Sequence, residues 1–315
     1  MKIVLYQDRD LTDPRIKNIL SSVRYYFESS KYHFTYCDNY KKPISCDVAI
    51  IWGIKKNSSR KTYYREEIKT FQKKNGSKTI CIERGFIQRD LYFSVGFNSI
   101  VGWGDYGNDC QTFNHSRRNL LQIDYPTLKH NPKGHILVCG QVYWDSQLQH
   151  LSPGNPKIGL GYNNWLVGLM NSLKLEINSQ EIIFREHPTI DNTSTKVLNK
   201  FAPDWLKWKK QYISSPKITF STNNFEKDLS GCYGVIAFNS NSLCEAIIKG
   251  YPVLSFDRGS VVHDLASHSI KDFLSNPKFP SRSLWEQTFN RISYSQWNVS
   301  EIKQGLPFNI LLNNG

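Results

Sequence analysis

Four short stretches of the 315-residue chain carry side chains whose types and order suit chemistry on an anionic substrate. The first is ERGFIQR, residues 83–89, where Glu83 closes an apolar run. A carboxyl group at such a place can move a proton, although a turn with a surface ion pair has the same appearance. The second is GQVYWD, residues 140–145. Gly140 permits a close backbone approach, and Gln141 and Asp145 follow. An aspartate there can serve as a nucleophile or cap a helix, and capping is the commoner role. The third is REHP, residues 185–188. Arg185 offers paired donors to a phosphate or carboxylate, His187 can donate a hydrogen bond to an anion, and Pro188 stops a strand ladder because it has no N–H. The fourth begins at Asn239 and continues as SNSLCEAIIKGYPVL, residues 240–254. Ser240, Asn241 and Ser242 place hydroxyls, an amide and backbone N–H groups at the start of a helix, a cradle suited to an anion. Glu245 is placed to close a capping box or to hold a ribose hydroxyl.

These residues need elements that hold them at one edge. In the first third, KIVLY, YHFTYC, CDVAIIWG and KTICIERG read as strands, and DPRIKNILSSVRYYFE and RKTYYREEIKTFQKK as helices. Pro14 suits a first helical turn. Residues 105–133 are polar and read as a linker. A second series starts at GHILVCGQ and alternates helix and strand through EIIFREHP, KITFS, YGVIAFNS and YPVLSFD, followed by a helical tail from Ser281. Short apolar strands separated by helices predict an α/β protein with two Rossmann-like domains, their parallel sheets facing a cleft. The expected division is 1–132 and 133–315, with C-terminal helices able to pack back on the first domain. All four stretches then leave carboxyl ends of strands, where open parallel sheets bind ligands.

Composition narrows the function classes. Hydrophobic residues make up 39% of the chain, enough for two cores. No apolar run is long enough to span a bilayer. The opening MKIVLYQDRD reads as a strand followed by charges rather than a signal peptide, so a cytoplasmic location is expected. Seven scattered cysteines without a CxxC pair read as reduced core residues. The net charge of +13 suits an anionic partner: nucleic acid, an acidic membrane surface or a phosphorylated substrate. Basic clusters such as KKNSSRKTYYR and WLKWKKQY are dispersed, and no aromatic-studded basic motif of a nucleic-acid reader appears, so no specific nucleic-acid partner is expected. Neither a dinucleotide fingerprint nor a P-loop is present.

The four stretches, in this order and spacing over residues 78–260, resemble the capsule polysaccharide biosynthesis and export family that contains the retaining β-Kdo transferases. Those proteins show E-D-G-F-[IL]-R, G-Q-V-x-x-D, [KR]-P-H-P and S-L-x-G-F-E-A-L-x-x-G-x-P-V segments. The resemblance implies a GT-B fold, a CMP-sugar donor carrying Kdo or a related sugar, a glycan or lipid-linked glycan acceptor, and neither a metal nor a cofactor. It implies that Gln141, Arg185, His187, Ser240, Asn241 and Ser242 bind the nucleotide and its phosphate, and that Glu245 holds the ribose. It further implies Asp145 as nucleophile and Glu83 as acid/base, in a cytoplasmic enzyme peripheral to an anionic inner membrane. The chain departs from the pattern at Arg84, Trp144, Ser146, Gln147 and Glu186, close to the expected donor sugar and acceptor. The competing readings are a GT-B transferase of another nucleotide sugar, and a basic nucleic-acid- or polysaccharide-binding protein without catalysis.

Overall fold

A computed structural model describes residues 1–7, 12–38, 42–53, 63–107, 114–151, 159–177 and 179–313. The basic KKNSSRK run (55–61) and Cys110 lie outside the described residues. Eleven strands are present among the described residues: β1 (Lys2–Tyr6), β2 (His33–Cys37), β3 (Val48–Trp52), β4 (Lys78–Arg84), β5 (Tyr92–Phe97), β6 (Ile136–Cys139), β7 (Ile182–Arg185), β8 (Ile218–Ser221), β9 (Gly234–Ala237), β10 (Val253–Ser255) and β11 (Gln296–Asn298). They form two sheets in two compact units. One unit comprises residues 1–122 with 289–315, the other residues 123–288. The sequence reading put the break at 132/133; the compact units divide at 122/123.

The first unit holds a six-stranded sheet in the order β11-β5-β4-β3-β1-β2. β1 to β4 are parallel, and β3 (VAIIW) is buried at every position, as a strand covered on both faces must be. Helix Pro14–Glu28 starts with Pro14 at its first turn, and the Asp13 side chain accepts the Arg15 N–H at 2.9 Å. Its Ile19, Leu20, Val23 and Phe27 are buried in the unit's core.

The parallel expectation fails at one edge. β5 pairs antiparallel with β4, and β11 antiparallel with β5. The connection from β4 to β5 is short, so the chain reverses instead of crossing over through a helix. The tail read as wholly helical contains β11, whose Trp297 is 3% exposed.

The linker reading of residues 105–133 is corrected as well. Helix Ser116–Leu120 lies within this region, and it buries Arg117 and Arg118. Arg117 pairs with Glu301 (2.8 Å), donates to the carbonyls of Ser293 (3.0 Å) and Gln296 (2.8 Å), and stacks over the Trp297 ring at 3.8 Å. A segment rich in charge looks solvated until its partners, far away in the chain, are known.

The second unit holds a five-stranded, all-parallel sheet in the order β10-β9-β6-β7-β8. Helices Gly159–Glu176 and Pro203–Tyr212 run side by side. The Trp205 N–H donates to Asn163 Oδ1 at 2.8 Å, and Trp208 Nε1 donates to Asn171 Oδ1 at 2.7 Å. Trp205 packs on Phe184 of β7 with ring centroids 4.5 Å apart, which anchors the strand that carries Arg185. Among the described residues no cysteine forms a disulfide, and Cys46, Cys81, Cys139, Cys232 and Cys244 are buried.

Candidate active site

In the second sheet the chain runs outward from β6 through β7 to β8, then returns to the other side of β6 as β9 and β10. The strand order therefore reverses between β6 and β9. The carboxyl ends flanking such a reversal are where doubly wound sheets bind ligands. Three of the four stretches leave the sheet on this edge: GQVYWD from β6, REHP from β7 and NSNS from β9. Gln141, Arg185, His187 and residues 239–245 are thereby gathered by topology alone.

The crevice at β6 and β9 is closed by a buried amide network. Gln141 Nε2 donates to Asn239 Oδ1 at 2.7 Å, and the Asn239 N–H donates back to Gln141 Oε1 at 3.0 Å. Asn239 Nδ2 donates to Asp257 Oδ1 at 2.8 Å, and the Gln141 N–H donates to the Tyr162 hydroxyl at 2.9 Å. All of these side chains are buried. Gln141 thus spends its amide on the turn after β9 and sets that turn's position. Asp257 escaped the sequence reading; its one local signal is an acid two residues beyond the β10 strand. Gly140 allows the exit from β6 to lie against β7: a Cβ there would sit 3.0 Å from Phe184 Cζ and 3.3 Å from the Arg185 carbonyl oxygen.

Arg185 answers a buried carboxylate. Asp228, 1% exposed, accepts Arg185 Nη1 at 3.1 Å, the Ser221 hydroxyl at 2.6 Å and Asn223 Nδ2 at 3.1 Å. Arg185 Nη1 also donates to the Asn223 carbonyl. These bonds all use one nitrogen, so the fork of the guanidinium still presents Nε and Nη2, which make no hydrogen bond among the described residues. Asp228 was not foreseen either, because FEKDL reads as an ordinary polar helix.

His187 stands at the N-cap of the short helix Pro188–Asp191, and its Nδ1 accepts the Thr189 N–H at 3.2 Å. An accepting Nδ1 places the proton of a neutral ring on Nε2, which makes Nε2 a donor suited to an anion.

Asp145 caps the turn Ser146–Leu151: its Oδ1 accepts the Gln147 N–H at 3.0 Å and its carbonyl the Leu148 N–H at 3.1 Å. Asp145 thus fills the capping role through its Oδ1. At the β9 turn, Ser240 Oγ accepts the Ser242 N–H at 3.3 Å, and Asn241 Nδ2 donates to Glu245 Oε1 at 3.3 Å. No capping box forms between Ser242 and Glu245; Asn241 occupies the N-cap position. The Ser242 hydroxyl is buried against the Cys139 thiol, which burial pushes up to about 12. Ser242 therefore stands behind the turn that Ser240, Asn241 and Glu245 present.

Glu83 is the penultimate residue of β4 in the first unit, where its Oε1 accepts the Arg84 N–H at 3.0 Å. Gly53, at φ +61°, lies beside it. A Cβ there would come within 3.0 Å of Glu83 Oε2 and 3.3 Å of Arg65 Nη1, so glycine serves both the left-handed backbone and the packing of these charged groups.

No family model matches the sequence, and no curated protein matches it. Solved structures do. The β-Kdo 2,7 transferase of Thermosulfurimonas dismutans KpsC is similar at a TM-score of 0.50 and 15% identity, over 97% of this chain and 98% of that one. The β-Kdo 2,4 transferase of the same protein is similar at 0.52 and 11% identity, over 98% of each chain. The fold is GT-B-like. Among the described residues no helix is long and apolar enough to cross a membrane.

Proposed function

We propose that this protein is a glycosyltransferase of capsule or lipopolysaccharide biosynthesis that transfers Kdo or a related sugar from a CMP-sugar, with retention, through a covalent adduct on Asp145. The observation that carries the reading is the strand order: Arg185 and His187 stand at the end of β7 and the Ser240–Glu245 turn follows β9, the two strands that flank β6 at the sheet's reversal. In this reading Arg185 Nε and Nη2 and His187 Nε2 donate to the nucleotide phosphate, and Glu245 accepts from the ribose. A sugar that carries its own carboxylate asks for a further cationic or donor group, which Arg185 or His187 supplies. Asp145 attacks the anomeric carbon as the CMP oxygen leaves with its electron pair. Glu83 then takes the proton from the acceptor hydroxyl that displaces Asp145.

The test is ligand-dependent stability. CMP at about 100 times its Kd is expected to stabilise the protein by roughly 2.7 kcal/mol, and UMP and UDP by less. His187→Ala is expected to weaken the CMP effect while the unliganded protein loses only about 1 kcal/mol, the cost of a helix cap. Equal shifts for the three nucleotides, or a preference for UDP, overturn the CMP assignment and favour a GT-B transferase of another donor. Release of nucleotide from a panel of CMP- and UDP-sugars then identifies the sugar.

The charge excess of +13 completes the reading, since a lipid-linked acceptor is presented at an anionic membrane. The expected result is co-sedimentation with anionic but not neutral vesicles, lost as salt is raised. Binding that ignores ionic strength rules out this electrostatic docking.

A further inference from the structure

Glu186 stands beside His187 at the end of β7, and its carboxylate joins two other elements of the second unit. Oε1 accepts the Tyr143 hydroxyl at 3.0 Å, and Oε2 accepts Lys209 Nζ at 2.7 Å. Tyr143 lies on the segment leaving β6, two residues before Asp145, and is 1% exposed. Lys209 comes from helix Pro203–Tyr212, and its ammonium also lies over the Phe220 ring of β8 at 5.1 Å. The Glu186 side chain is 12% exposed, so its ion pair is sheltered from the solvent that weakens surface pairs. Burial, and after it the nearby Glu186 charge, holds the Tyr143 phenol well above its ordinary range. The phenol therefore keeps its proton and remains a donor at neutral pH.

The segment held by this contact is also packed at other points: Tyr143 and Leu148 are buried in the unit's core, Trp144 packs on Phe201 with ring centroids 5.4 Å apart, and Asn239 Nδ2 donates to the Gln147 carbonyl at 3.5 Å. Asp145 donates its N–H to the Val142 carbonyl at 2.9 Å, and its own carboxylate and carbonyl accept from Gln147 and Leu148. These bonds are local to residues 142–148. The Tyr143 hydroxyl is a long-range hydrogen bond, reaching 43 residues along the chain to a strand end that Trp205 packs in place.

We propose that Tyr143, Glu186 and Lys209 form a tie that fixes residues 142–148 on the end of β7, and that they are positioning residues for Asp145. The catalytic consequence rests on the reading of Asp145 as nucleophile; the tie itself does not. A nucleophile must be held within a narrow geometry to attack, so slack in this segment lowers turnover more than it lowers donor affinity.

The experiment measures amide hydrogen exchange at Asp145, Gln147 and Leu148, together with turnover, in the wild type and in Tyr143→Phe, Glu186→Gln, Lys209→Met and Lys209→Arg. Tyr143→Phe and Lys209→Met are expected to speed exchange at these three amides about tenfold, the scale of one charge-assisted hydrogen bond. Amides of β7 and β9 are expected to keep their protection. Glu186→Gln is nearly isosteric and keeps an acceptor for Tyr143, so a smaller effect is expected, and Lys209→Arg is expected to restore most of the protection. In turnover, kcat falls while the donor KM stays nearly constant. Unchanged exchange at the three amides overturns the proposal. A uniform rise across the second unit also overturns it, because that is the mark of a general stability role. If the local exchange rises but the wild type turns over no CMP-sugar, the tie stands and the nucleophile reading falls.

Discussion

Replacing Asp145 by alanine is expected to abolish sugar transfer while leaving CMP-dependent stabilisation in place. A residue that forms the covalent bond to the anomeric carbon has no substitute among neutral side chains. The loss in turnover is expected to be on the order of 10⁴-fold or more, the scale seen when a nucleophile is removed. Asp145 also caps the Ser146–Leu151 turn, so alanine costs about 1 kcal/mol of stability through that separate role. Asp145→Asn separates the two roles. Asparagine caps as well as aspartate does, but it does not attack carbon. The asparagine variant is therefore expected to be as stable as the wild type and as inactive as the alanine variant. Near-normal transfer by Asp145→Asn would show that the aspartate is a cap and nothing more. Glu83→Gln is the companion experiment: acceptor-dependent turnover slows, and intact-protein mass spectrometry after mixing with donor shows a gain of one sugar residue. A product of inverted anomeric configuration refutes the covalent route even where both carboxylates prove essential.

The largest stability effect is expected at Arg117. Its guanidinium makes four polar contacts: Glu301 Oε1 at 2.8 Å and Oε2 at 3.2 Å, and the carbonyls of Ser293 and Gln296. It also stacks on Trp297. The Arg117 and Glu301 side chains are 10% and 13% exposed. Removing the arginine leaves the Glu301 carboxylate and two carbonyls short of a donor in a place water barely reaches. Breaking a buried pair in this way costs about 3–5 kcal/mol. Part of the Glu301 charge is still met, because its Oε2 accepts the Asn298 N–H at 2.8 Å in a capping box. Arg117→Lys is expected to recover little, since an ammonium cannot reproduce the planar fork that reaches all four acceptors or the stack on Trp297. Denaturant unfolding followed by tryptophan fluorescence reads the result. A loss below about 1 kcal/mol would place Arg117 with ordinary surface ion pairs.

Local pattern was enough to read most of the elements. The apolar runs KIVLY, VAIIW and TICIE are strands because they are covered on both faces, and this needs no knowledge of their neighbours. REHP was legible as a strand exit as well: Pro188 has no N–H to extend a ladder, and in the fold it opens the helix that follows β7. The alternation of strands and helices was likewise sufficient for the α/β class with two parallel-rich sheets.

What escaped the sequence is the pairing of polar groups across long stretches of chain. Arg117 and its acceptor at Ser293 are 176 residues apart, Gln141 and Asn239 are 98 apart, and Arg185 and Asp228 are 43 apart. In the sequence Arg117 and Asp228 are polar residues in polar segments, while Gln141, Arg185 and Asn239 stand out at strand exits as candidate ligand contacts, and in neither case does the sequence name the partner. Hydrophobic periodicity is a property of neighbours along the chain, so it survives in the sequence. Satisfaction of a buried donor or acceptor is a property of whichever atom folding brings within about 3 Å, and only the tertiary structure decides which atom that is.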